Sequence, residues 1–496
     1  MTVTEVLDTV RAGTAGPKTA AFFDLDGTLV RGYTAAGIVL DQVRRGEVGP
    51  AELAGMIAAV AGGAEAMGPA GIAALRGRRV DDATEVGERL FVDHIAGTIR
   101  PEARDLVRAH RRMGHTVVVA SSATRMQIAP IARDLGIEHI VCTELEAVSG
   151  VLTGRSLSGM LWGEAKAAAV RGFADAHEID LASSYGYANG LEDAAFLETV
   201  GHPYAVNPHP GLLRTAGDRG WPVLTLREPR TPGLRACLGT LAGLFGVNVG
   251  LTTGLGCGWL TGDRRLGANA GIGLSADLAL AFTGVRLHTI GGENLEKARP
   301  AVFVANHQST LDVLVLAALL RHDFTAVAKK EARLDPRMLV IGATMDPVWI
   351  DRSNLVKAKA SLDGAVRRLR AGTSILILPE GTRMPTPTPG PFKKGAFRIA
   401  VQAGVPIVPI VLRNTGELAW RRSLVVNPGT VDVAVLDPIP TAGWRTDELR
   451  RRTAEVRELF VDTLENWPSA GTGAFASTTP AEREPTFGWT VPREAT

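Results

Sequence analysis

Two carboxylates at positions i and i+2 directly follow a short apolar run near the start of the chain. Asp24 and Asp26 come after Thr19–Phe23, and Gly27 and Thr28 come next. If the apolar run is a buried parallel strand, both carboxylates lie at the crevice beyond its carboxyl end. Two negative charges this close together indicate a divalent hard cation. A tight turn at Gly27 would direct the hydroxyl of Thr28 towards a phosphate.

More polar side chains follow later apolar runs. Ser121 and Asn189 each come after a predicted strand, and Asp193 lies four residues beyond Asn189. Lys166 begins a predicted helix and is the only lysine among residues 19–296, a stretch rich in arginine. Some sites need a compact ammonium group that the planar guanidinium does not imitate. The order carboxylates, hydroxyl, lysine and oxygen ligands predicts a phosphate-handling site.

These residues, in this order, resemble the haloacid dehalogenase superfamily, specifically its phosphoserine-phosphatase-like branch, over residues 18–210. The resemblance implies that Asp24 is the nucleophile and forms an aspartyl-phosphate. It implies that Asp26 is the general acid and base. Ser121 and Lys166 would hold the phosphoryl oxygens.

The same resemblance implies a magnesium site, whose ligands would be Asp24, Asp26 through its carbonyl, Asn189 and Asp193. Asn189 departs from the family pattern, in which this position is a metal-binding Asp. Its amide offers a neutral oxygen in place of a carboxylate, so we expect weaker magnesium binding and low turnover. Residues 31–98 would form a helical cap over the substrate.

A histidine and an aspartate five residues apart follow a predicted strand in the second half of the chain. His307 and Asp312 can meet if the chain turns into a helix after the histidine, and the carboxylate then sets the imidazole tautomer. No GxSxG segment lies near them. The hydroxyl that this base activates is then expected to be the substrate's own, which means direct acyl transfer to an alcohol.

Three short motifs with cations follow this pair: KKE at 329–331, IDR at 350–352 and EGTR at 380–383. Cations near a His–Asp pair suit an anionic acceptor such as a phosphomonoester. The apolar segment around Pro406 is expected to form a wall of the same site.

The motifs HQSTLD, IDR, EGTR and VPIVP resemble the glycerolipid acyltransferases, the lysophosphatidic acid acyltransferase group, over residues 285–465. The resemblance implies His307 as general base and Asp312 as its partner. It implies lysophosphatidic acid as acceptor and acyl-CoA or acyl-ACP as donor. The residues expected to bind the glycerol phosphate are Arg352, Glu380, Gly381 and Arg383, with Lys329 and Thr382 as weaker candidates.

Short apolar runs alternate with helical segments in both halves, which predicts two α/β domains with parallel sheets. The first is expected to be a Rossmann-like haloacid dehalogenase domain with a helical cap, and the second a glycerolipid acyltransferase domain with a membrane-attaching segment. The predicted organisation is a loose leader at 1–17, a phosphatase domain at 18–210, a linker at 211–233, an apolar two-helix segment at 234–285, an acyltransferase domain at 286–465 and a disordered tail at 466–496.

The apolar segment contains a run without charge at 237–260, in which Gly246, Gly250, Gly254 and Gly258 form one smooth helix face. A spanning helix, a hairpin within one leaflet and a buried soluble helix pair all fit this pattern. Both active sites need substrates from the cytosol, so an odd number of spans between them is excluded. We therefore favour peripheral or monotopic attachment to the cytoplasmic face of a membrane.

The formal net charge is only +2, with 54 Lys+Arg against 52 Asp+Glu, which argues against a dedicated nucleic-acid binder. Three scattered cysteines suggest neither a disulfide framework nor a zinc site. The oligomeric state is not predicted.

Three functions remain open. The first is a bifunctional enzyme of glycerophospholipid synthesis that transfers an acyl group and hydrolyses a phosphomonoester. The second is an acyltransferase with a degenerate phosphatase domain that serves as a regulatory or scaffold module, which Asn189 favours. The third is a phosphatase for a soluble metabolite such as phosphoserine, fused for co-regulation.

Overall fold

The computed structural model describes residues 1–35, 64–330, 347–350 and 355–468. The chain divides into two compact units, Met1–Pro229 and Arg230–Thr496.

The first unit is built on a six-stranded parallel sheet of order β3-β2-β1-β6-β7-β8, beside which β4 and β5 form an antiparallel hairpin. The strands are β1 (Ala20–Phe23), β2 (Thr116–Thr124), β3 (His139–Thr143), β4 (Leu145–Val148), β5 (Val151–Ser156), β6 (Tyr185–Ala188), β7 (His202–Val206) and β8 (Val223–Leu224).

Strand β1 is fully buried, and its aromatic residues alternate between the two faces of the sheet. Phe22 packs edge-on against Phe173 and Phe196, whereas Phe23 stacks on Tyr187 of β6. A strand buried on both faces needs helices on both sides, which the βαβ rhythm supplies.

The helices of this unit are α1 (Val3–Ala12), α2 (Ala64–Ala73), α3 (Val80–Leu90), α4 (Pro101–Arg112), α5 (Arg125–Leu135), α6 (Glu164–Ala176), α7 (Ala194–Leu197) and α8 (Pro210–Arg219). The predicted loose leader is wrong. Thr2 and Glu5 form a capping box that starts α1, and Val6 and Val10 are completely buried.

The predicted linker at 211–233 is also wrong for residues 211–224. These residues contribute α8 and β8, and β8 pairs in parallel with β7 at the edge of the sheet. Glycine and proline occur at helix ends as well as in linkers: Pro210 is the first residue of α8, and Gly220 closes it at φ +68°.

Within the predicted cap at 31–98, residues 36–63 lie outside the described residues. The described part from residue 64 onward is helical, and it contacts the β4–β5 hairpin: Gly77 N donates to Leu152 O and Leu152 N donates to Arg78 O. The hairpin was not predicted, and it extends the cap with residues that lie beyond 98.

The second unit has a seven-stranded sheet of order β12-β11-β13-β10-β14-β15-β9, in which only the β14–β15 pair is antiparallel. The strands are β9 (Val285–Ile290), β10 (Val302–Ala305), β11 (Phe324–Lys329), β12 (Val348–Ile350), β13 (Ser374–Ile377), β14 (Ile407–Leu412) and β15 (Gly429–Val435). The helices are α9 (Leu234–Thr261), α10 (Arg264–Thr283), α11 (Asn294–Lys297), α12 (Leu311–Leu320), α13 (Leu355–Arg370), α14 (Gly395–Ala403), α15 (Thr415–Leu418) and α16 (Leu449–Glu465).

Two apolar cores cover the two faces of this sheet. One contains Phe303 together with residues of α10 and α12, and the other contains Val302 and Val304 together with residues of α14 and α16. The alternation along β10 therefore feeds both cores. The prediction of two α/β domains with parallel sheets is confirmed.

Candidate active sites

The carboxyl ends of β1 and β6 form the first site. These neighbouring strands stand where the strand order reverses, and a ligand crevice opens at such a point in an α/β sheet. Asp24 follows β1, Asn189 follows β6, and Asp24 N donates to Tyr187 O at 2.8 Å. The structure thus places the segment that carries Asp24 beside the segment that carries Asn189.

Lys166 lies in the first turn of α6 and is 2% exposed. Its Nζ donates to Asp24 Oδ1 and to Asp193 Oδ1, both at 2.7 Å. Burial alone would lower the pKa of Lys166, but these two carboxylates raise it above its ordinary value. Burial raises the pKa of Asp24 to about 7, while the attraction of Lys166 acts in the opposite direction.

The carboxylate of Asp26 turns towards the start of the cap. Its Oδ1 accepts from Thr34 N at 2.8 Å, and its Oδ2 accepts from Thr34 Oγ1 at 3.2 Å. Gln127 of α5 donates in turn to Thr34 Oγ1. Burial raises the pKa of Asp26 to about 6. A carboxyl group whose pKa is raised towards neutral pH can both give and take a proton, which is what the predicted role requires.

The oxygens available to a metal come from two side chains that share a neighbour. Thr28 Oγ1 lies 3.3 Å from Asp24 Oδ2 and 3.4 Å from Asn189 Oδ1. Hard oxygen donors are the type that Mg²⁺ takes, so the donor chemistry fits, although Asn189 adds no charge. The predicted ligand Asp193 has another partner, because its carboxylate binds Lys166. Within the described residues, no three His, Cys, Asp or Glu side chains are grouped as metal ligands.

Ser121 lies one strand away at the same edge. Phe23 pairs with Val119 of β2, so Ser121, which lies within β2, is beside the loop that follows β1. The Ser121 side chain is buried, and its Oγ accepts from Ala123 N at 3.2 Å.

Arg100 is a residue of this site that the sequence does not reveal. Its side chain is 3% exposed, and Nη2 donates to the carbonyl oxygen of Gly27 at 3.0 Å. In a chain this rich in arginine, no motif or spacing distinguishes Arg100 from its neighbours.

The second site lies at the carboxyl end of β10, where the chain turns into α12. His307 Nδ1 and Asp312 Oδ2 are 2.8 Å apart. The same Oδ2 accepts from the backbone N–H groups of Gln308 and Ser309 at 2.7 and 2.8 Å. Three donors fix the carboxylate, so it orients the imidazole. With Nδ1 protonated towards Asp312, the lone pair is on Nε2.

The EGTR segment, which follows β13, fixes the backbone of His307. Glu380 Oε1 accepts from His307 N at 3.1 Å, and Met384 N donates to His307 O at 2.7 Å. Glu380 is 4% exposed, and burial raises its pKa well above the ordinary value. These contacts favour a positioning role for Glu380 over the predicted contact with the glycerol phosphate.

The other predicted acceptor ligands stand as follows. Gly381 has φ +77°, and Thr382 and Arg383 are half-buried just beyond it. Lys329 ends β11, but its side chain is not among those described, and Arg352 lies outside the described residues.

Pro406 does not contribute to this site, contrary to the prediction. Val302 N donates to Pro406 O, and Val302 pairs with Ile407 in the parallel register of β10 and β14. Pro406 therefore lies where β10 begins, and His307 lies beyond the other end of that strand.

Helices α9 and α10 pack through the predicted glycine face. A Cβ at Gly250 would lie 2.4 Å from Ser275 N, and one at Gly254 would lie 2.5 Å from Gly267 O. The prediction of close packing is confirmed. Both helices are long and apolar enough to cross a membrane. Half of the apolar stretch of α10, however, is buried within the unit.

The exposed side of α9 is apolar. Leu234, Leu238, Leu241 and Phe245 recur at helical spacing opposite the glycine face, and each is more than half exposed. Asp263 caps α10 at the turn between the two helices.

The two units match two different family models. Residues 286–413 match the model described as Acyltransferase, and residues 21–198 match that of haloacid dehalogenase-like hydrolase. An uncharacterised acyltransferase of Schizosaccharomyces pombe, C1851.02, is 36% identical over 227 residues, which are 45% of this chain and 80% of that protein. The chain belongs to the acyltransferase family. This acyltransferase also contains the hydrolase domain in its first unit.

Two other relatives match more partially. The 1-acyl-sn-glycerol-3-phosphate acyltransferase of Saccharomyces cerevisiae is 36% identical over 36% of this chain, which spans 60% of that relative's length. Probable phosphatase Rv3661 of Mycobacterium tuberculosis is 38% identical over 28% of this chain and 47% of its own.

Among solved structures, the 1-acyl-sn-glycerophosphate (LPA) acyltransferase PlsC of Thermotoga maritima is 26% identical. It covers 48% of this acyltransferase and 99% of its own chain, with a TM-score of 0.41.

Proposed function

We propose that the chain is a bifunctional enzyme of glycerophospholipid synthesis. Its second unit transfers an acyl group from a thioester to 1-acylglycerol-3-phosphate, giving phosphatidic acid. Its first unit hydrolyses a phosphomonoester. The observation that supports acyl transfer is the hydrogen bond of 2.8 Å between His307 Nδ1 and Asp312 Oδ2. Two backbone N–H groups hold the same carboxylate.

In acyl transfer, His307 Nε2 removes the proton from the acceptor hydroxyl as its oxygen attacks the thioester carbonyl. Asp312 stabilises the imidazolium that forms. When the tetrahedral intermediate collapses, the C–S bond breaks and the imidazolium returns the proton to the sulfur. The donor is acyl-CoA or acyl-ACP, both of which carry this thioester.

The acceptor phosphate is bound by the residues that follow β13. Thr382 and Arg383 supply a hydroxyl and a guanidinium, and the positive φ of Gly381 turns the chain so that both follow a sharp bend. Lys329 and Arg352 belong to the same proposal. Glu380 acts through His307, whose N–H it holds.

In the first unit, Asp24 attacks the phosphorus and forms an aspartyl-phosphate, while Asp26 gives its proton to the leaving oxygen. Asp26 then removes a proton from the water that hydrolyses the acyl phosphate. Lys166 holds Asp24 in place and is well placed, with Ser121, to neutralise phosphoryl oxygens. Asp24, the carbonyl of Asp26 and Asn189 would hold Mg²⁺, which supplies charge that stabilises the transferring group.

A second candidate is supported by Asn189 and Asp193. One is an amide in place of a carboxylate, and the other is bound to Lys166, so the charge available to Mg²⁺ is small. In that case the first unit would be a regulatory or scaffold module beside an active acyltransferase. For the bifunctional enzyme, the phosphatase substrate is either phosphoserine-like or a phospholipid.

Purified full-length protein decides between these candidates. It is given labelled acyl-CoA or acyl-ACP with lysophosphatidic acid, and separately phosphoserine, lysophosphatidic acid and phosphatidic acid with Mg²⁺. Formation of phosphatidic acid together with phosphate release supports the bifunctional enzyme. Acyl transfer without phosphate release from any substrate supports the module, and no acyl transfer with either donor contradicts both.

Membrane attachment belongs to the same proposal. The exposed apolar side of α9 would lie in the cytoplasmic leaflet, while α10 packs on the unit, which gives monotopic rather than spanning attachment. The double substitution Leu238→Asp and Leu241→Asp should abolish flotation with phospholipid vesicles. Leu213→Asp, at an exposed leucine of the first unit, is the matched control. Flotation that survives the double substitution contradicts this surface.

A further inference from the structure

Arg100 bridges two segments of the first unit that are far apart in sequence. Its Nη1 donates to Glu228 Oε1 at 2.5 Å, and its Nη2 donates to Gly27 O at 3.0 Å. The guanidinium is 3% exposed. Burying a charge is costly unless it is paired, so these two acceptors determine where the group lies.

One of these acceptors, the carbonyl oxygen of Gly27, belongs to the loop that carries Asp24 and Asp26. Gly27 has φ +81°, and a Cβ there would lie 2.1 Å from Asn189 Nδ2, so the loop fits closely against the end of β6. The backbone N of Arg100 also donates to Leu29 O at 3.0 Å. Arg100 therefore holds this loop at two carbonyl groups.

The other acceptor, the carboxylate of Glu228, belongs to the exit segment, Leu226–Glu228. This is the part of the chain that leaves the first unit. Asn207 binds it through three contacts: Nδ2 donates to Leu226 O and Glu228 Oε1, and Oδ1 accepts from Leu226 N at 2.6 Å. Arg227 is bound to Glu102 through its N and Nε, both at 2.6 Å. The exit segment is thus attached to the unit on both sides of its backbone.

We propose that Arg100 and Glu228 are positioning residues for the nucleophile loop. Glu228 holds the guanidinium, the guanidinium holds the Gly27 carbonyl, and the loop between Asp24 and Thr28 is kept in its reactive conformation. The inference rests on the proposed phosphatase activity, and it makes the exit segment part of the support of that site. Neither residue touches the substrate.

The planar fork of arginine explains why the position needs this residue type. Nη1 and Nη2 of an arginine can donate at once to two acceptors that lie in different directions. The single ammonium group of a lysine cannot donate to both acceptors with the same geometry. Arg100→Lys keeps the charge and loses the bridge. Glu228→Ala removes the acceptor, at a side chain that is 51% exposed and so tolerant of change.

Both variants are tested in the full-length protein with p-nitrophenyl phosphate and Mg²⁺. A misplaced catalytic loop lowers kcat, so we expect a fall of about tenfold in kcat with KM little changed in each variant. The double variant should lose no more than the larger single loss, because both substitutions break one bridge. Arg219→Lys and Glu198→Ala, at a half-exposed ion pair of the same unit, are matched controls with unchanged kcat.

Hydrogen exchange of the peptide 24–34 gives a readout that does not need activity. Both variants should exchange the amides of Gly27–Val30 faster than wild type and the controls. If wild type hydrolyses no phosphomonoester but exchange responds, the phosphatase proposal fails and the positioning role stands. If Glu228→Ala leaves both kcat and exchange at wild-type values, the positioning role is overturned, even if Arg100→Lys does not fold.

Discussion

The two sites differ in how far apart their parts lie in the chain. His307 and Asp312 are five residues apart and meet because one strand turns into one helix. Asp24 and Lys166 are 142 residues apart, and they meet only because α6, which carries Lys166, packs against the sheet that contains β1. The first arrangement is local, and the second is a property of the whole sheet.

The two sites also differ in charge. The His307 site buries two carboxyl groups, of which Asp312 accepts three hydrogen bonds and Glu380 accepts from His307 N. The Asp24 site buries a lysine between two carboxylates, with Asp26 nearby. A network of this kind stays in place only if every member has its partner, so it depends more on distant support such as Arg100. A site assembled from segments that are far apart in the chain therefore needs supporting residues that do not bind the substrate.

The largest expected effect is the separation of the two activities. His307→Ala should lower acyl transfer by about 10²–10⁴-fold, because the general base is lost, and leave phosphate release unchanged. His288→Ala is a matched control, since His288 and Asp432 form another His–Asp contact in the same unit at 3.1 Å. Loss of both activities in a folded His307→Ala protein would contradict the independence of the sites.

The acceptor contact gives the next effect. Arg383→Ala should raise the apparent KM for lysophosphatidic acid by removing about 1.5–3 kcal/mol of charge-assisted hydrogen bonding. Steady-state kinetics with the donor held saturating measure it. Arg398→Ala, at an exposed arginine on α14, should leave this KM unchanged. An unaltered KM in Arg383→Ala would exclude the phosphate contact.

Adding a carboxylate should sharpen the metal side of the comparison. Asn189→Asp should lower the Mg²⁺ concentration for half-maximal p-nitrophenyl phosphate hydrolysis and raise turnover several-fold, because a carboxylate binds a hard cation better than an amide. Thermal unfolding with and without Mg²⁺ gives a second measure, since a ligand bound only to the folded state stabilises it. If the Mg²⁺ midpoint, the rate and the stabilisation all stay at wild-type values, Asn189 is not a ligand.

A further expected effect concerns the stability of the first unit in acid. His110 is completely buried between His115 and Tyr187, with ring contacts of 2.8 and 2.9 Å, and burial lowers its pKa to about 3. Between pH 6.5 and 3 the unfolded chain binds a proton that the folded chain refuses, so stability falls as pH falls.

That proton is worth about 1.4 kcal/mol per pH unit in this range. His110→Gln, although less stable at neutral pH, should therefore lose stability less steeply on acidification. Urea unfolding followed by hydrogen exchange within Pro101–Arg112 measures the slope. Parallel profiles for the two proteins would show that His110 does not cause the acid sensitivity.

Much of the fold follows from the sequence because its signals are local. Buried apolar runs followed by helical segments predict the βαβ rhythm, and the strand β1 lies where Thr19–Phe23 predicts it. The β4–β5 hairpin has a local signal, since Ser149 and Gly150, both at positive φ, form its two-residue turn. The Gly and Pro residues of 211–224 do not distinguish a linker from a helix end, because both residue types occur in each.

What the sequence by itself determined is the set of candidate site residues and the local His307–Asp312 pair, because residue type and short spacing decide both. Tertiary structure alone decided that Asp193 binds Lys166, that Glu380 holds the His307 backbone, that Pro406 lies at the far end of β10 and that Arg100 joins Gly27 to Glu228. These contacts join segments far apart in the chain. Their geometry depends on strand order and register, which no local pattern specifies.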